Sequence, residues 1–252
     1  MNALVRGIAS SFARALTAAP PDPPIDVARA RVQHNAYVAG LRALGAAVTA
    51  LPADDACPDG CFLEDGAVVA DGLALITRPG APSRRGEVAA LAAALAGRVE
   101  LAHMEAPATL DGGDCLRVGR RIFVGRSART NDAGIARLAE LFAPRGYRVV
   151  AVDLPAGVLH LKCVCSPLDD ERVLVAEDML PADTFADVAL VTVPRAEAYA
   201  ANCLALGGCA LMSAGYPGAR AAVEAAGLTV TALDSSEIRK ADGALTCLSL
   251  LF

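Results

Sequence analysis

Residues 121–143 read RIFVGRSARTNDAGIARLAELFA: an apolar strand, a turn with glycine and arginine, and an amphipathic helix. The pattern recurs at 73–97, 172–188 and 209–227, and starts spaced by roughly 40 to 50 residues are typical of modular folds. A fifth copy can be assembled from the helix at 27–44, the strand at 46–52 and the C-terminal strand at 245–252. Five such modules about one axis predict a closed α/β ring.

A doubly wound open sheet is the alternative, because it also alternates strands with helices. The turn Asp111-Gly-Gly-Asp114 argues against it, since this turn lies between strands and precedes no helix, as a dinucleotide-binding loop would. Extra strand pairs, as in TLDGGDCLRVGRRIFVG at 109–125, favour a repeat that carries a hairpin. We therefore predict the ring, with residues 1–252 as a single domain.

Near the N-terminus, prolines 20–24 (PPDPP) predict a rigid loop between a short N-terminal helix and a helix that begins near Asp26. Ser83, and Thr130 or Asn131, are candidate N-caps of later helices. The proline-rich loop is placed to cover a neighbouring surface.

The composition excludes several kinds of partner. The net charge is −5, and no stripe of basic residues could neutralise phosphates, so we expect no nucleic acid. No secretory signal and no uncharged apolar run long enough to cross a membrane are found, which predicts a cytoplasmic location. An acidic cleft would attract cationic small molecules. We expect a monomer or a homodimer.

Cysteine is abundant, with eight residues at 57, 61, 115, 163, 165, 203, 209 and 247. In a long chain without a secretory signal, most should be packed free thiols. The spacings 57/61 and 163/165 could start a zinc site, but no second pair follows at a suitable distance. We expect neither a metal nor an organic cofactor.

Two residue types could carry covalent chemistry. The chain has only three histidines, and His160 precedes an alternating apolar segment that predicts the start of a strand. Cys247 lies near the terminus in ADGALTCLS. A free thiol is mostly protonated at neutral pH, so it needs an activating partner. Taken alone, His160 is equally well explained as a histidine satisfied within a sheet, and Cys247, as one of eight thiols, is better explained as a packed residue.

Charged residues in turns form the remaining candidates. Carboxylates beside glycines can converge on a ligand, and arginines before helix starts can bind a carboxylate with two hydrogen bonds, although surface turns often carry such residues without a function. The candidates are Asp59, Glu64, Asp65, Asp111, Asp114, Arg84 and Arg129.

Together these segments resemble the dimethylarginine dimethylaminohydrolases. The motifs follow that family's order along nearly the whole chain: DVARARVQH (26–34), FLEDGAVV (62–69), ALITRPGAPSRR (74–85), ATLDGGD (108–114), FVGRSARTN (123–131), LHLKCVCS (159–166) and ADGALTCLS (241–249). The resemblance implies the pentein fold, a five-bladed α/β-propeller of ββαβ repeats around a central active site.

The resemblance also implies roles for individual residues. Cys247 would be the nucleophile, His160 its acid/base partner and Asp111 the acid that orients the histidine. Asp65 would grip the guanidinium, while Arg84 and Arg129 would clamp the α-carboxylate. Asp59, Glu64 and Asp242 would contact the amino-acid end or the guanidine, and Leu16 would supply the apolar contact of a lid.

The implied reaction is hydrolysis of Nω,Nω-dimethyl-L-arginine or Nω-methyl-L-arginine to L-citrulline and an amine, through a covalent thiouronium on the cysteine. Two alternatives remain. Arginine deiminases share the fold but typically carry an aspartate two residues after the histidine, where this chain has Lys162. A non-catalytic binding module would be expected to lack the cysteine and histidine pair, and both residues are present.

Overall fold

The computed structural model describes all residues, 1–252, as five three-stranded sheets. Each sheet is one blade of a ring. The strands, in blade order, are β1 (Asn2–Arg6), β2 (Ala47–Leu51) and β15 (Ser249–Leu251) in blade 1; β3 (Ala67–Ala70), β4 (Leu73–Ile76) and β5 (Glu100–His103) in blade 2; β6 (Cys115–Val118), β7 (Arg121–Arg126) and β8 (Arg148–Asp153) in blade 3; β9 (Cys165–Pro167), β10 (Arg172–Ala176) and β11 (Ala189–Val193) in blade 4; and β12 (Leu204–Leu206), β13 (Cys209–Ser213) and β14 (Thr229–Leu233) in blade 5.

Four helices connect the parallel strands of blades 1, 2, 3 and 5, and a fifth lies between the last strand of blade 5 and β15 of blade 1. The five helices are α1 (Val27–Ala43), α2 (Val88–Leu95), α3 (Asp132–Phe142), α4 (Pro217–Ala225) and α5 (Ser236–Lys240). Each blade combines one antiparallel pair with one parallel pair, and blades 2, 3 and 5 show the predicted ββαβ pattern. Blade 1 joins the two chain ends, because β15 pairs with β1 with Ala3 opposite Leu251.

The hydrophobic core is divided among the blade junctions. Five buried clusters occur, and each combines side chains from two neighbouring blades. The junction of blades 5 and 1, for example, packs Tyr37 of α1 against Leu211 of β13. Because every junction, including the one between the last and first blades, buries its own cluster, the ring is closed. The predicted five-bladed α/β fold is confirmed.

Two local predictions need correction. The N-terminal segment begins with strand β1, for which β15 supplies a partner from the far end of the chain, and its helical part is limited to a five-residue 3₁₀ helix at Ser10–Arg14. Blade 4 has no helix between β10 and β11. Pro181 interrupts that segment, and Phe185 packs into the core in place of a helix.

Helix starts follow the sequence more closely. The Asp26 side chain accepts a hydrogen bond from the Arg29 N–H at 3.0 Å and caps α1, while Asn131 caps α3 through the Gly134 N–H at 2.9 Å. Ser83 does not cap a helix, because it lies inside a 3₁₀ turn at Pro82–Arg84 and α2 begins later. No helix is both long and apolar enough to cross a membrane. That the chain forms a single domain stays a prediction.

Candidate active site

A short 3₁₀ turn precedes the antiparallel edge strand of every blade. These turns are Leu63–Gly66, Gly112–Asp114, Leu161–Cys163, Arg195–Ala201 and Thr246–Leu248. The strands that follow them, β3, β6, β9, β12 and β15, together line one cavity of about 570 Å³ and therefore surround the axis of the ring. The turns close one end of this cavity, so residues far apart in sequence meet there.

On the other face of the turns lies a small pocket with a volume of about 30 Å³. Its walls contain eight of the ten residues that the sequence analysis assigned to the site: Leu16, Asp59, Asp65, Arg84, Arg129, His160, Asp242 and Cys247. We call this space the catalytic pocket.

Asp111 lies behind the pocket and holds its histidine. The Asp111 carboxylate is fully buried, with Oδ2 at 3.1 Å from Nε2 of His160 and Oδ1 accepting the Gly80 N–H at 2.9 Å. The backbone of His160 is extended, and the residue lies directly before a 3₁₀ turn, whereas the sequence predicted it at the start of a strand. The imidazole is thus fixed at the rim where its blade begins.

The glycines of the Asp-Gly-Gly-Asp turn allow this close approach. A Cβ on Gly113 would lie 2.8 Å from Oδ1 of Asp65 and 2.9 Å from Nδ1 of His160, and one on Gly112 would lie 2.0 Å from the Glu64 carbonyl oxygen. Any larger residue would push the histidine and the neighbouring carboxylate apart. The Gly113 N–H also donates to Oδ1 of Asp65 at 2.9 Å.

His160 is protonated at neutral pH. Burial lowers the pKa of its imidazole, but the charge of Asp65 and the hydrogen bond to Asp111, with smaller effects of the Asp114 and Asp111 charges, outweigh burial and raise it to about 9. The imidazolium is therefore ready to donate a proton inside the pocket.

Cys247 is a thiol in the resting state. Its side chain is partly buried, and burial raises the pKa of the thiol well above the ordinary value, with further increases from the charges of Glu64 and Asp65. A thiolate next to these carboxylates is unfavourable until a positive charge arrives. A bound guanidinium would supply that charge.

Asp65 is held by a buried ion pair. Nη1 of Arg84 donates to Oδ2 of Asp65 at 2.6 Å, and Arg84 also pairs with Glu87 at 2.9 Å and donates to the Phe62 carbonyl oxygen. Burial raises the Asp65 pKa, but the charges of His160 and Arg84 bring it down to about 2. Asp65 is therefore an ionised carboxylate on the pocket wall.

Two further carboxylates tie the N-terminal loop over the pocket. Asp59 accepts the Leu16 N–H at 3.1 Å, and Asp242 accepts the Ala18 N–H at 2.5 Å. Asp242 has a left-handed φ of 53°, a strained conformation for a residue with a Cβ. Since a ligand site usually measures about 300–1,000 Å³, this loop closes the pocket and has to open for a ligand.

Arg129 is the more accessible arginine of the pocket wall. Its side chain is 20% exposed, and Nη1 lies 3.8 Å from Oδ2 of Asp111. By contrast, each guanidinium nitrogen of Arg84 already donates to a protein oxygen. The clamp role of both arginines stays a prediction.

Glu64 is the exception among the predicted site residues. Its carboxylate faces the axial cavity, where it pairs with Lys162 at 2.5 Å, and does not line the catalytic pocket. The 3₁₀ turn directs Glu64 and the adjacent Asp65 to opposite faces. That Glu64 contacts the substrate stays a prediction.

Some wall residues were not predicted from the sequence. Phe62, Leu159, Ala241 and Gly243 also line the catalytic pocket. A Cβ on Gly243 would lie 2.4 Å from the Phe62 ring. Leu159, Ala241 and Gly243 are sequence neighbours of His160 and Asp242, and Phe62 lies three residues before Asp65; this proximity was the only available signal.

The nearest approach to a metal site is the group Asp65, Asp111 and His160, whose ligand atoms lie within 4.8 Å of one another. Arg84 neutralises Asp65, however, and the imidazole holds a proton up to about pH 9. A protonated imidazole cannot donate a lone pair to a cation. The group is suited to holding a proton. The expectation that no cofactor is needed stays a prediction.

A five-bladed α/β ring with a thiol, an imidazolium and carboxylates at one end of its axis defines a pentein of the guanidine-modifying class. Comparisons with known proteins agree. A profile described as "N,N dimethylarginine dimethylhydrolase, eukaryotic" matches residues 22–208. The N(G),N(G)-dimethylarginine dimethylaminohydrolase of Pseudomonas aeruginosa is 38% identical over 231 residues, covering 90% of each chain. That of Streptomyces coelicolor is 38% identical over 252 residues, covering 99% of this chain and 96% of the relative.

A solved structure gives the same result. A cysteine-to-serine variant of the Pseudomonas aeruginosa enzyme, in complex with citrulline, superposes with a TM-score of 0.95 at 35% identity, covering 100% of this chain and 98% of the other. The chain belongs to the dimethylarginine dimethylaminohydrolase family.

Proposed function

We propose that this protein hydrolyses Nω,Nω-dimethyl-L-arginine and Nω-methyl-L-arginine to L-citrulline, with release of dimethylamine or methylamine. The observation that carries the proposal is the catalytic pocket, in which a thiol and a protonated imidazole face three carboxylates: Asp59, Asp65 and Asp242. The citrulline complex of a 35% identical enzyme with the same fold supports the product.

Binding begins with the charges of the substrate. The guanidinium pairs with Asp65, whose carboxylate already accepts the Gly113 N–H and keeps further lone pairs for the ligand. In the closed pocket Asp59 and Asp242 accept N–H groups of the N-terminal loop. When the substrate binds, they release these groups and bind its α-ammonium group instead. Arg129, with Arg84 beside Asp65, receives the α-carboxylate.

The arrival of the guanidinium activates the nucleophile. Its positive charge lowers the cost of the Cys247 thiolate, whose pKa burial and neighbouring carboxylates otherwise raise. The thiol releases its proton to solvent, and the thiolate attacks the central guanidine carbon, which the carboxylates hold in line with it. A tetrahedral adduct forms without a metal or an organic cofactor.

His160 moves the protons. The imidazolium protonates the methylated nitrogen, the C–N bond breaks, and the amine leaves a positively charged thiouronium on Cys247. The neutral imidazole then takes a proton from water as the water oxygen bonds to the same carbon. The C–S bond then breaks and the hydroxyl proton passes to the departing sulfur, which yields citrulline, regenerates the Cys247 thiol and leaves His160 protonated.

The test is the release of citrulline and dimethylamine from Nω,Nω-dimethyl-L-arginine. The wild type should turn over, Cys247→Ser should lose activity by at least about a thousandfold, as expected for loss of the covalent nucleophile, and Cys209→Ser, a partly buried thiol on β13 outside the pocket, should keep it. Unmodified arginine is the comparison substrate. A higher kcat/KM for arginine would favour the deiminase alternative.

A further inference from the structure

A buried hydrogen-bonded network lies beneath the catalytic pocket, on the axial-cavity side of the 3₁₀ turns. Nζ of Lys162 donates to Oε1 of Glu64 at 2.5 Å, and Oγ1 of Thr246 donates to Oε2 of the same carboxylate at 2.7 Å. Asn202 closes the network, because its Nδ2 donates to the Lys162 carbonyl oxygen at 2.8 Å and to Oγ1 of Thr246 at 3.0 Å. Its Oδ1 accepts the Thr246 N–H at 3.1 Å. We call these four residues the axial network.

Three members of the axial network are close sequence neighbours of residues in the catalytic pocket. Glu64 precedes Asp65, and Thr246 precedes Cys247. Lys162 follows His160 by two residues. The network therefore joins the backbones that carry the guanidinium-binding carboxylate, the nucleophile and the acid/base group, although these come from three different blades.

The network also places two opposite charges near the sulfur. The side chains of Lys162 and Glu64 are only 11% and 13% exposed. After burial, the charge of Glu64 is the largest contribution to the raised pKa of Cys247. Burial lowers the pKa of Lys162, but Glu64 and, more weakly, Cys115 and Cys247 raise it, so the ammonium is retained. Lys162 thus offsets a carboxylate that would otherwise oppose the thiolate.

We propose that Glu64 and Lys162 are positioning residues that hold Cys247 through Thr246 and control its reactivity by the balance of their two charges. The proposal deepens the function proposed above and rests on Cys247 being its nucleophile. Asn202 and Thr246 fix the position of the Cys247 backbone, while the charges of Glu64 and Lys162 alter the electrostatic environment of the thiol. A purely structural network would fix the position of Cys247 without altering the reactivity of its thiol through charge.

The test uses alkylation of the resting thiol by iodoacetamide, without substrate. Peptide mass spectrometry follows labelling of Cys247 at about pH 8.5, which is well below the raised pKa of this thiol, so that one unit of pKa shift changes the thiolate fraction about tenfold. The partly buried Cys57 is an internal reference, because the charges that act on it come from Asp54, Glu87 and Arg6 and not from the axial network.

The two single charge variants should act in opposite directions. Lys162→Met leaves the Glu64 carboxylate unpaired, and we expect labelling of Cys247 to slow about tenfold. Glu64→Gln leaves the ammonium unpaired, and we expect labelling to accelerate by a similar factor. The double variant Glu64→Gln/Lys162→Met should return close to the wild-type rate, and Cys57 should not change in any of them. The other charged groups around the thiol are untouched: Asp59, Asp65, Arg84, Arg129, His160 and Asp242 in the pocket wall, and the thiol of Cys163 below it.

Equal changes in both single variants, or no change in either, would overturn the proposal. If Lys162→Met does not fold, as judged by circular dichroism, Glu64→Gln decides alone: an unchanged or slower labelling rate contradicts the charge role.

Thr246→Val tests the positioning role, and we expect a lower kcat for dimethylarginine with an unchanged KM, whereas Thr246→Ser should restore turnover. An unchanged kcat in Thr246→Val would contradict that role. Because labelling needs no substrate, it also separates a failure of this proposal from a failure of the proposed reaction.

Discussion

The substitution Asp111→Asn should lower the pKa of His160. Burial alone would lower this pKa, but Asp65 and Asp111 raise it from 6.5 to about 9, which corresponds to about 3 kcal/mol in favour of the imidazolium. Asparagine keeps the shape of the side chain, and its oxygen can still accept the Gly80 N–H. Its NH2 group would then face Nε2 of His160 and cannot accept the hydrogen bond that the imidazolium donates, and the negative charge is lost. We expect the pKa to fall by about one unit or more, because one close opposite charge typically contributes that much.

The assay is an NMR titration of isotope-labelled histidine. Only three histidines are present. Burial lowers the pKa of His34 to about 4, so this residue stays neutral during a titration above that pH. The variant His103→Gln removes the third signal and leaves His160 assigned. A wild-type midpoint near 6.5, or the same midpoint in Asp111→Asn as in the wild type, would refute the role given to Asp111.

The same shift predicts how stability depends on pH. A raised pKa in the folded state stabilises the fold fully below pH 6.5, and this contribution is lost as the pH rises to about 9. The free energy of unfolding from urea titrations should fall across this window in the wild type by up to about 3 kcal/mol from this group. In Asp111→Asn the fall should be smaller.

Three further predictions concern the walls of the pocket. Gly113→Ala adds a Cβ 2.9 Å from Nδ1 of His160 and should reduce kcat by about a hundredfold, as misplacement by about 1 Å can, with a smaller effect on KM in steady-state assays. Arg84→Met leaves the carboxylates of Asp65 and Glu87 unpaired and should lower the free energy of unfolding, measured in urea, by about 3–5 kcal/mol. A decrease below about 1 kcal/mol would show that the ion pair contributes no more than a surface pair does. Ala18→Pro removes the N–H that Asp242 accepts and should speed substrate association in stopped-flow measurements, whereas an unchanged rate would mean that this hydrogen bond does not hold the loop closed.

Much of the fold could be predicted because each blade carries its own pattern of strand, turn and helix. Strand β1 was missed since its two partners, β15 and β2, lie elsewhere in the chain, and the sequence of residues 2–6 has no feature that reveals such pairing. The fourth blade was assigned a helix by analogy with the other copies. Pro181 in that segment was the signal against it.

The site could be predicted from motifs, but its geometry could not. The motif FLED contains two adjacent acids, and only the 3₁₀ turn determines that Asp65 faces the catalytic pocket while Glu64 faces the axial cavity. Similarly, Lys162 is identified in sequence as the residue that replaces an aspartate. Its pairing with Glu64 depends on two blades meeting at the axis.

The most direct test of the account is to trap the covalent intermediate. The variant His160→Ala lacks the base that activates water, so rapid acid quenching after mixing with S-methyl-L-thiocitrulline, whose thiol leaving group needs little protonation, should preserve the adduct. We predict that peptide mass spectrometry finds the added amidine on the peptide that contains Cys247 and on no other cysteine. An unmodified Cys247 under these conditions, or the adduct on a different thiol, would contradict the central claim that Cys247 is the nucleophile.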